Sequence, residues 1–173
     1  MNPRLASLLA AALLAGCQSM SADAPKATAT LQPTKTGKAT GTLTFTQVAE
    51  NRVRVSGTVS GLVPGREHGF HVHEAGDCSS GDGMSAKGHF NPYGKPHGNP
   101  AAADHHVGDM PALKADASGT ATVNADVEPM SVGPGPASIV GRGLIVHADP
   151  DDYKTQPTGN AGARVACAVI QRS

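Results

Sequence analysis

The stretch GFHVHE, residues 69–74, places two histidines two positions apart among a glycine, an aromatic residue and a valine. Side chains two apart on a β-strand point to the same face, so His71 and His73 present two imidazoles on one side and Val72 points to the other. The local composition favours a strand over a helix. For an isolated pair of this kind, the alternative is two ordinary surface histidines.

The histidines that follow favour a metal site. Six of the eight histidines and one aspartate lie in short segments that are mostly rich in glycine and proline. These candidate ligands are His71, His73, His89, His97, His106, Asp109 and His147. Imidazole suits copper and zinc, and a carboxylate among imidazoles suits zinc better than a soft metal. The set is larger than one ion needs, so the pattern predicts a metalloprotein.

The composition predicts one domain made of short strands. The chain has 173 residues, with 21 Gly, 13 Pro and no Trp, which argues against a helical bundle. Alternating apolar and polar residues over 42–46 and 52–59 predict a β-hairpin. The further predicted strands cover residues 68–73, 119–127, 139–147 and 163–171.

Two long stretches, 74–111 and 148–162, carry no strand pattern, and the first holds four of the candidate ligands. So long a loop normally counts against an assignment, but a bound metal and a disulfide supply the order that packing does not. The prediction is an all-β, antiparallel sandwich or flattened barrel of about eight strands with two long functional loops. The formal net charge is zero and no basic stripe is visible, so nucleic acid is not an expected partner.

The N-terminus has the pattern of a secretory signal. Arg4 precedes an apolar run over residues 5–15, which is too short to span a membrane. The sequence LAGC at residues 14–17 resembles the lipobox of bacterial lipoproteins, which implies cleavage after Gly16 and acylation of Cys17. The alternative is a soluble secreted protein that is cut elsewhere and loses this cysteine.

This interpretation divides the chain into a lipoprotein signal peptide (1–16), a lipidated cysteine with a flexible tether (17–36) and a folded domain (37–173). The tether is rich in Ser, Ala, Thr, Pro and Lys, which is typical of a linker. The predicted location is the periplasm or cell envelope, with the lipid anchor in a membrane. Gln18, in place of an aspartate after the cysteine, favours the outer membrane.

The two remaining cysteines, Cys78 and Cys167, are an even pair in a chain that the leader marks for export, where disulfides persist. A bridge between them would close a loop of about 90 residues, worth roughly 4 to 5 kcal/mol in the chain-entropy description. It would tie the loop between His73 and His89 to the apolar run 165–170. The alternative is that both are metal thiolates, although they lack Cys-X-X-Cys spacing.

The ligand segments and the loop lengths between them resemble those of the copper/zinc superoxide dismutases over residues 37–173. The resemblance implies the family's Greek-key fold, one copper and one zinc ion per chain, and a histidine that bridges the two metals. It assigns copper to His71, His73, His89 and His147, and zinc to His89, His97, His106 and Asp109.

The resemblance also assigns roles around the metals. Asp151 matches an aspartate that links a copper histidine, here His71, to a zinc histidine, here His97, and orients both rings. The neighbouring Asp149 and Asp152 are alternatives for this role.

The resemblance also bears on an arginine and on the histidines outside the ligand set. Arg164 matches the arginine that attracts a small anion beside the copper. His68 is outside the ligand set and is expected to be structural. The pattern His-Val-Gly-Asp favours His106 over its neighbour His105 as a ligand.

The activity implied is dismutation of superoxide to dioxygen and hydrogen peroxide, with Arg164 and His89 as catalytic residues. The family includes homodimers, so a homodimer is possible. Residues 77–84 look like the bacterial branch, and the loop 148–162, which carries steering charges in the family, looks short. The alternatives from other classes are a copper- or zinc-binding lipoprotein for storage or delivery without turnover, which predicts a missing ligand or arginine, and a purely structural sandwich domain at the envelope.

Overall fold

Alternating apolar and polar residues produce ten β-strands in the computed structural model, which describes residues 24–173. The strands are β1 (Lys26–Pro33), β2 (Thr40–Ala49), β3 (Arg52–Ser60), β4 (Glu67–His68), β5 (Phe70–His73), β6 (Leu113–Lys114), β7 (Ala121–Val127), β8 (Gly143–His147), β9 (Arg164–Val169) and β10 (Gln171–Arg172). A short 3₁₀ helix at Met84–Ala86 is the single helical segment in this part of the chain. None of the helical structure between residues 24 and 173 is long and apolar enough to cross a membrane.

Eight of the strands form one antiparallel sheet that curls into a half-barrel. Its order is β5-β8-β9-β1-β2-β3-β7, with β10 also pairing with β1. The two remaining strands, β4 and β6, pair with each other in a separate small sheet. The predicted all-β, eight-stranded antiparallel fold with two long loops is therefore confirmed.

Strand β1 joins the two halves of the half-barrel, and it corrects the predicted tether. It pairs with β2 along Lys26–Leu31 and with β9 through Gln32 and Pro33. Its alternate residues Ala27, Ala29 and Leu31 are buried in the core. The tether prediction is thus wrong for Lys26–Pro33, and the folded domain begins before residue 37. The predicted signal peptide and Cys17 lie outside the described residues.

The hairpin was predicted correctly, but two other predicted strands have different boundaries in the structure. The hairpin of β2 and β3 forms as predicted, with Leu43 paired to Gly57 and Phe45 to Val55. The predicted strand 68–73 is divided at Gly69, because β4 pairs with β6 whereas β5 pairs with β8. The predicted strand 139–147 begins only at Gly143.

The strands β5 and β8 are buried on both faces, and this positions the site. Phe70, Val72, Leu144 and Val146 point into the main core. The intervening residues of β5 are His71 and His73, which point to the opposite face. That face is covered by the two long loops, so all nine residues of the two strands are buried. The loops therefore form a second layer over the sheet, with histidines between the layers.

Candidate metal centre

The two histidines of β5 and the last residue of β8 come together through strand pairing. His71 pairs with Ile145 and His73 with Gly143 in the antiparallel register. His147 ends β8, and its amide donates to the carbonyl of Gly69 at 2.8 Å. The sheet thus places three imidazoles without help from the loops.

Two loop segments run beside β5 and bring the remaining ligands. The amide of Val72 donates to the carbonyl of Gly108 and that of Phe90 to the carbonyl of Val72, both at 2.9 Å. Isolated bridges pair His73 with His89 and His71 with Asp109. A Cβ at Gly108 would collide with the carbonyl oxygen of Val72, so this close approach requires glycine.

The first cluster of ligands, here called the four-histidine group, consists of His71, His73, His89 and His147. One ring nitrogen from each lies within 4.8 Å of the others. Nδ1 of His71 and Nε2 of the other three are buried and have no hydrogen-bond partner, and they are the only such side-chain atoms in residues 24–173. A buried polar atom without a partner is costly, about 1–3 kcal/mol each, unless something else binds it. Four inward lone pairs fit a metal ion that accepts nitrogen ligands.

The opposite ring nitrogens in this group are fixed by hydrogen bonds. Nδ1–H of His73 donates to the carbonyl of Lys87 at 2.9 Å, and Nδ1–H of His147 donates to that of Gly162 at 3.3 Å. Because a carbonyl only accepts, these bonds leave the lone pair of each ring on Nε2, facing the group. The tautomers needed for metal binding are therefore set by the protein.

The second cluster, here called the mixed group, consists of His89, His97, His106 and Asp109. Nδ1 of His89 and of His97 each lie 2.9 Å from Oδ1 of Asp109, and Nδ1 of His106 lies at 3.4 Å. Donor atoms bound tetrahedrally to zinc at about 2.0–2.1 Å are separated by about 3.3 Å. Three nitrogens and one oxygen at these separations fit the closed set of a structural zinc site.

His89 belongs to both groups, with one nitrogen in each. Its Nδ1 faces Asp109, whereas its Nε2 is one of the four unpartnered atoms. A single imidazole therefore separates the two groups, as the bridging role requires.

Asp151 joins the groups from behind. Its Oδ2 accepts from Nε2–H of His71 at 2.7 Å, and its Oδ1 accepts from Nε2–H of His97 at 2.9 Å. The neighbouring Asp149 and Asp152 are not in this position: Asp152 accepts from Thr155. The structure thus places Asp151 in the linking position that the resemblance implies.

The loop 148–162 holds the mixed group through a second contact that sequence analysis missed. The side-chain amide of Gln156 accepts from the backbone N–H of His97 at 2.8 Å and donates to its carbonyl at 2.9 Å. The side chain thus satisfies both backbone groups of His97, as a neighbouring strand would. A lone glutamine in a polar loop carries no signal that would reveal it.

Electrostatics differ between the two groups. Burial, reinforced by neighbouring histidines, lowers the pKa of His147 to about 3, and burial lowers the pKa of His89 to about 4. The same causes hold the pKa of His73 well below its usual value. These rings are neutral at pH 7, which leaves their lone pairs available to a metal ion.

Two carboxylates reverse this effect at His97. Burial disfavours its charged ring, but hydrogen bonds to Asp109 and Asp151 outweigh burial and raise the pKa of His97 to about 9. Burial also opposes ionisation of the two acids, yet hydrogen bonds from the histidines hold the pKa of each well below its usual value. In the metal-free protein the mixed group therefore contains a buried ion pair.

Arg164 lies at the edge of the four-histidine group, paired in register with His147. Its guanidinium is half-buried and donates to the carbonyls of Gly83 and Lys87, at 2.5 and 2.6 Å. Burial lowers the pKa of Arg164, partly offset by Asp82. Arg164 and the ring of His73 share the carbonyl of Lys87 as acceptor, and the charge of Arg164 helps to lower the pKa of His73 and of His147.

The predicted disulfide is confirmed. Cys78 and Cys167 are bonded, with their Cα atoms 5.9 Å apart. The bridge packs with Ala86 and Ile145 in a small cluster on the outer face of β8 and β9. Cys78 lies in the same loop as Gly83 and Lys87, whose carbonyls accept from Arg164. The bridge therefore holds this loop against the sheet.

The two histidines outside the predicted ligand set have structural contacts. Nδ1–H of the buried His68 donates to the carbonyl of His147 at 2.8 Å, and its Nε2 accepts from the amide of Val63. Nδ1–H of His105 donates to the carbonyl of His106 at 2.7 Å. Neither belongs to a donor group among the described residues.

Comparison with known proteins agrees with this geometry. Residues 39–170 match the family described as copper/zinc superoxide dismutase. This chain belongs to that family. The predicted cofactors, copper and zinc, and the predicted activity of a superoxide dismutase, an oxidoreductase, are thereby confirmed.

Two similar superoxide dismutases come from a plant and a nematode. A Cu-Zn superoxide dismutase 2 from Brassica juncea is 49% identical over 138 residues, 75% of this chain and 88% of the relative. An extracellular Cu-Zn superoxide dismutase from Brugia pahangi is 44% identical over 143 residues, 78% of this chain and 70% of the relative. The crystal structure of the clock protein EA4 superposes with a TM-score of 0.77 at 40% identity, covering 86% of this chain and 94% of the other.

Proposed function

We propose that this superoxide dismutase binds copper in the four-histidine group and zinc in the mixed group. The observation that carries the proposal is the set of four buried, unpartnered ring nitrogens, which includes Nε2 of the histidine shared with the mixed group. Neutral imidazoles suit copper, and three imidazoles with one carboxylate suit zinc.

Two superoxide anions and two protons give dioxygen and hydrogen peroxide, so the reaction needs a centre that accepts one electron and returns it. Copper supplies this redox chemistry when bound, whereas zinc has none. The strands β5 and β8 hold His71, His73 and His147 in fixed positions.

The chain's own residues handle the anion and the protons. Arg164 is a cation at the edge of the four-histidine group and can hold a small anion there by charge and hydrogen bonding. Nε2 of His89 is the atom at which a proton can be held beside the substrate, as the family resemblance implies. Asp151 orients His71 and His97 from behind, so it acts on both groups through these rings.

Two matched variants test the assignment of the metals. His147→Ala removes an imidazole from the four-histidine group alone, and His106→Ala removes one from the mixed group alone. In protein loaded with Cu(II) and Zn(II), the first is expected to lose copper and dismutation while retaining zinc. The second is expected to lose zinc while retaining copper. Metal analysis and pulse-radiolysis rates of the same samples decide between this assignment and the reverse one.

We also propose that the chain is an exported bacterial lipoprotein of the periplasmic envelope, anchored through Cys17 to the outer membrane. The apolar leader, the LAGC sequence and a relative named as extracellular support export. Since β1 begins at Lys26, the tether after Cys17 is reduced to residues 18–25, which reach at most about 30 Å when extended. A homodimer stays a prediction from the family resemblance.

Cys17→Ser separates the anchored form from the soluble form. With the full chain expressed in bacteria, the wild type is expected in the outer-membrane fraction with a labelled acyl chain, and the variant without label. A wild-type protein found soluble and unlabelled, with its N-terminus at another residue, would contradict the anchor and leave the enzymatic proposal untouched.

A further inference from the structure

Tyr153 lies in the loop 148–162 with a backbone conformation that aromatic residues avoid. Its φ is 55°, in the left-handed region that favours glycine and asparagine. The turn at this point needs only a backbone amide, because the N–H of Tyr153 donates to Oδ1 of Asp151, two residues earlier, at 2.7 Å. Glycine would supply the same amide without the steric conflict of a side chain. The turn therefore leaves the aromatic side chain unexplained.

The hydroxyl of Tyr153 makes a hydrogen bond outside its own loop. Its oxygen accepts from the backbone N–H of Ala112 at 3.0 Å, a residue 41 positions away in the chain. The side chain is partly buried and lines a cavity together with Pro100 and Pro111. Burial raises the pKa of Tyr153, so the phenol is neutral at pH 7. The side chain thus acts by packing and by one neutral hydrogen bond.

The two ends of Tyr153 connect the loop 148–162 to the segment that carries the ligands. At its backbone end, the carboxylate of Asp151 accepts from the amide of Tyr153, and the same Oδ1 accepts from Nε2–H of His97 at 2.9 Å. At its side-chain end, the hydroxyl contacts Ala112, three residues after Asp109 and directly before β6. A displacement of Tyr153 would therefore move the oxygen to which His97 is bonded.

The other hydrogen bonds of this turn are internal to the loop. Asp152 accepts from the amides of Lys154 and Thr155, both at 2.8 Å. Bonds of this kind hold the shape of the turn wherever the turn lies. The hydroxyl of Tyr153 reaches outside the loop instead, so it fixes the position of the turn relative to the ligands.

We propose that Tyr153 is a positioning residue that holds the carboxylate of Asp151, and through it two metal-binding rings, in place. These rings are His71 in the four-histidine group and His97 in the mixed group. The strained conformation is retained because the bond to Ala112 fixes the turn. This inference rests on the proposed binding of metals to the two groups, and it assigns to one hydroxyl a role in metal affinity.

Two conservative substitutions test the role of the hydroxyl. Tyr153→Phe keeps the ring and the backbone amide and removes only the hydroxyl. Tyr93→Phe is the matched control, because Tyr93 is the other tyrosine of the chain and lies between His89 and His97. Its side chain is exposed, and removal of its hydroxyl leaves the turn at residues 151–155 intact.

Competition with a chelator measures the zinc and copper affinities of each protein. We expect Tyr153→Phe to weaken both by about 3- to 10-fold, the loss that corresponds to one neutral hydrogen bond. Tyr93→Phe is expected to match the wild type. Equal affinities for the wild type and Tyr153→Phe would overturn the proposal.

A double-variant cycle with Asp151→Ala tests whether the hydroxyl acts through that carboxylate. Residues that act through one another show non-additive effects. We therefore expect Tyr153→Phe to change zinc affinity by less than about two-fold when Asp151→Ala is already present. The same loss in both backgrounds would mean that the hydroxyl acts without the carboxylate, and the proposal would be wrong.

Cobalt(II) bound in the mixed group provides a readout that a purely stabilising contact would not change. Its visible absorption depends on the geometry of its ligands. We expect the spectrum of Tyr153→Phe to shift in the same direction as that of Asp151→Ala, and the spectrum of Tyr93→Phe to coincide with that of the wild type. A lower thermal midpoint for Tyr153→Phe with an unchanged spectrum would make Tyr153 a support of the fold alone and overturn the proposal.

Failure of the proposed function gives a different result. A wild-type protein that binds neither zinc nor cobalt(II) in the mixed group would refute the assignment of the metals. A wild-type protein that binds them, with Tyr153→Phe identical to it in affinity and spectrum, would refute the role of Tyr153 alone.

Discussion

The four-histidine group and the mixed group share His89 but come from different parts of the fold. Three of the four residues in the first lie on strands β5 and β8, where pairing in the main sheet fixes them. All four residues of the second lie in the loop between β5 and β6. One group is therefore held by the sheet, and the other by its own contacts and by the loop 148–162.

The two groups also differ in how their polar atoms are satisfied without metal. The four-histidine group has four buried ring nitrogens without hydrogen-bond partners, and the lowered pKa values of His73, His89 and His147 keep these three rings neutral, so the group is ready for a metal before one arrives. The mixed group satisfies itself without metal, because the carboxylate of Asp109 accepts from the surrounding histidines and a raised pKa keeps a proton on His97. We infer that metal binding replaces a proton in the mixed group, and fills a prepared site in the other.

The largest expected effect comes from Asp109→Ala. The substitution removes the carboxylate on which the mixed group converges, and with it the hydrogen bonds that its Oδ2 accepts from the amides of Gly98 and His106. We expect zinc affinity to fall by more than the roughly 100-fold typical of losing an outer contact, with copper binding retained. Competition with a chelator measures both metals.

Asp104→Ala is the control for this experiment, because Asp104 is an exposed acid of the same loop, paired with Lys95 at 2.6 Å. It should leave both affinities unchanged. If Asp109→Ala removes copper as readily as zinc, the sheet does not hold the four-histidine group independently, and the comparison above fails.

A smaller effect, shared by both groups, is expected from Asp151→Asn. A neutral amide offers one oxygen, so the hydrogen bond to one of His71 and His97 is lost and the bond to the other loses its charge, and both rings are held less firmly. We expect zinc and copper affinities to fall together by about 10- to 100-fold. Asp152→Asn, on the exposed neighbour, should change neither, and a loss of one metal alone would show that Asp151 does not couple the groups.

An effect that needs no metal is the pH dependence of stability in the metal-free protein. His97, with its pKa raised to about 9, contributes stability that is complete below pH 6.5 and is lost as pH rises through 9. His147 and His89, with pKa values lowered to about 3 and 4, contribute stability that is present above pH 6.5 and is lost as pH falls toward those values. Denaturant titrations should therefore find maximal stability near pH 6.5.

Zinc provides the check on this prediction. A zinc ion in the mixed group takes the place of the shared proton, so the decline between pH 6.5 and 9 should disappear on loading. A metal-free protein with constant stability over that range would mean that His97 is not held as a cation by Asp109 and Asp151.

The sequence is informative about the site because ligand chemistry restricts residue types. Histidines and an aspartate in short segments predicted a metalloprotein, and the family resemblance divided them into the two donor groups. The spacing of His71 and His73 predicted that both rings lie on one face of a strand. The hairpin of β2 and β3 was equally legible, since Leu43 and Phe45 alternate with threonines. These features depend on side-chain identity, which is what a sequence records.

Features that depend on the backbone were not predictable. The carbonyl of Lys87 binds both His73 and Arg164, and any residue has a carbonyl. Strand β1 was taken for a tether because alanine and threonine resemble a linker, yet its alanines are buried where the two halves of the sheet meet. Their burial depends on the pairing of β1 with β2, β9 and β10, which is set by the tertiary fold.

The connection between Cys78 and Cys167 gives the chain a tolerance to cleavage. Residues 101–104 are exposed between these cysteines, and exposed loop tips are the usual sites of proteolytic cuts. A chain cut there would run as one molecule on a gel without reductant and as two fragments with it. Each donor group would draw residues from both fragments, so the ions themselves would hold the severed halves together.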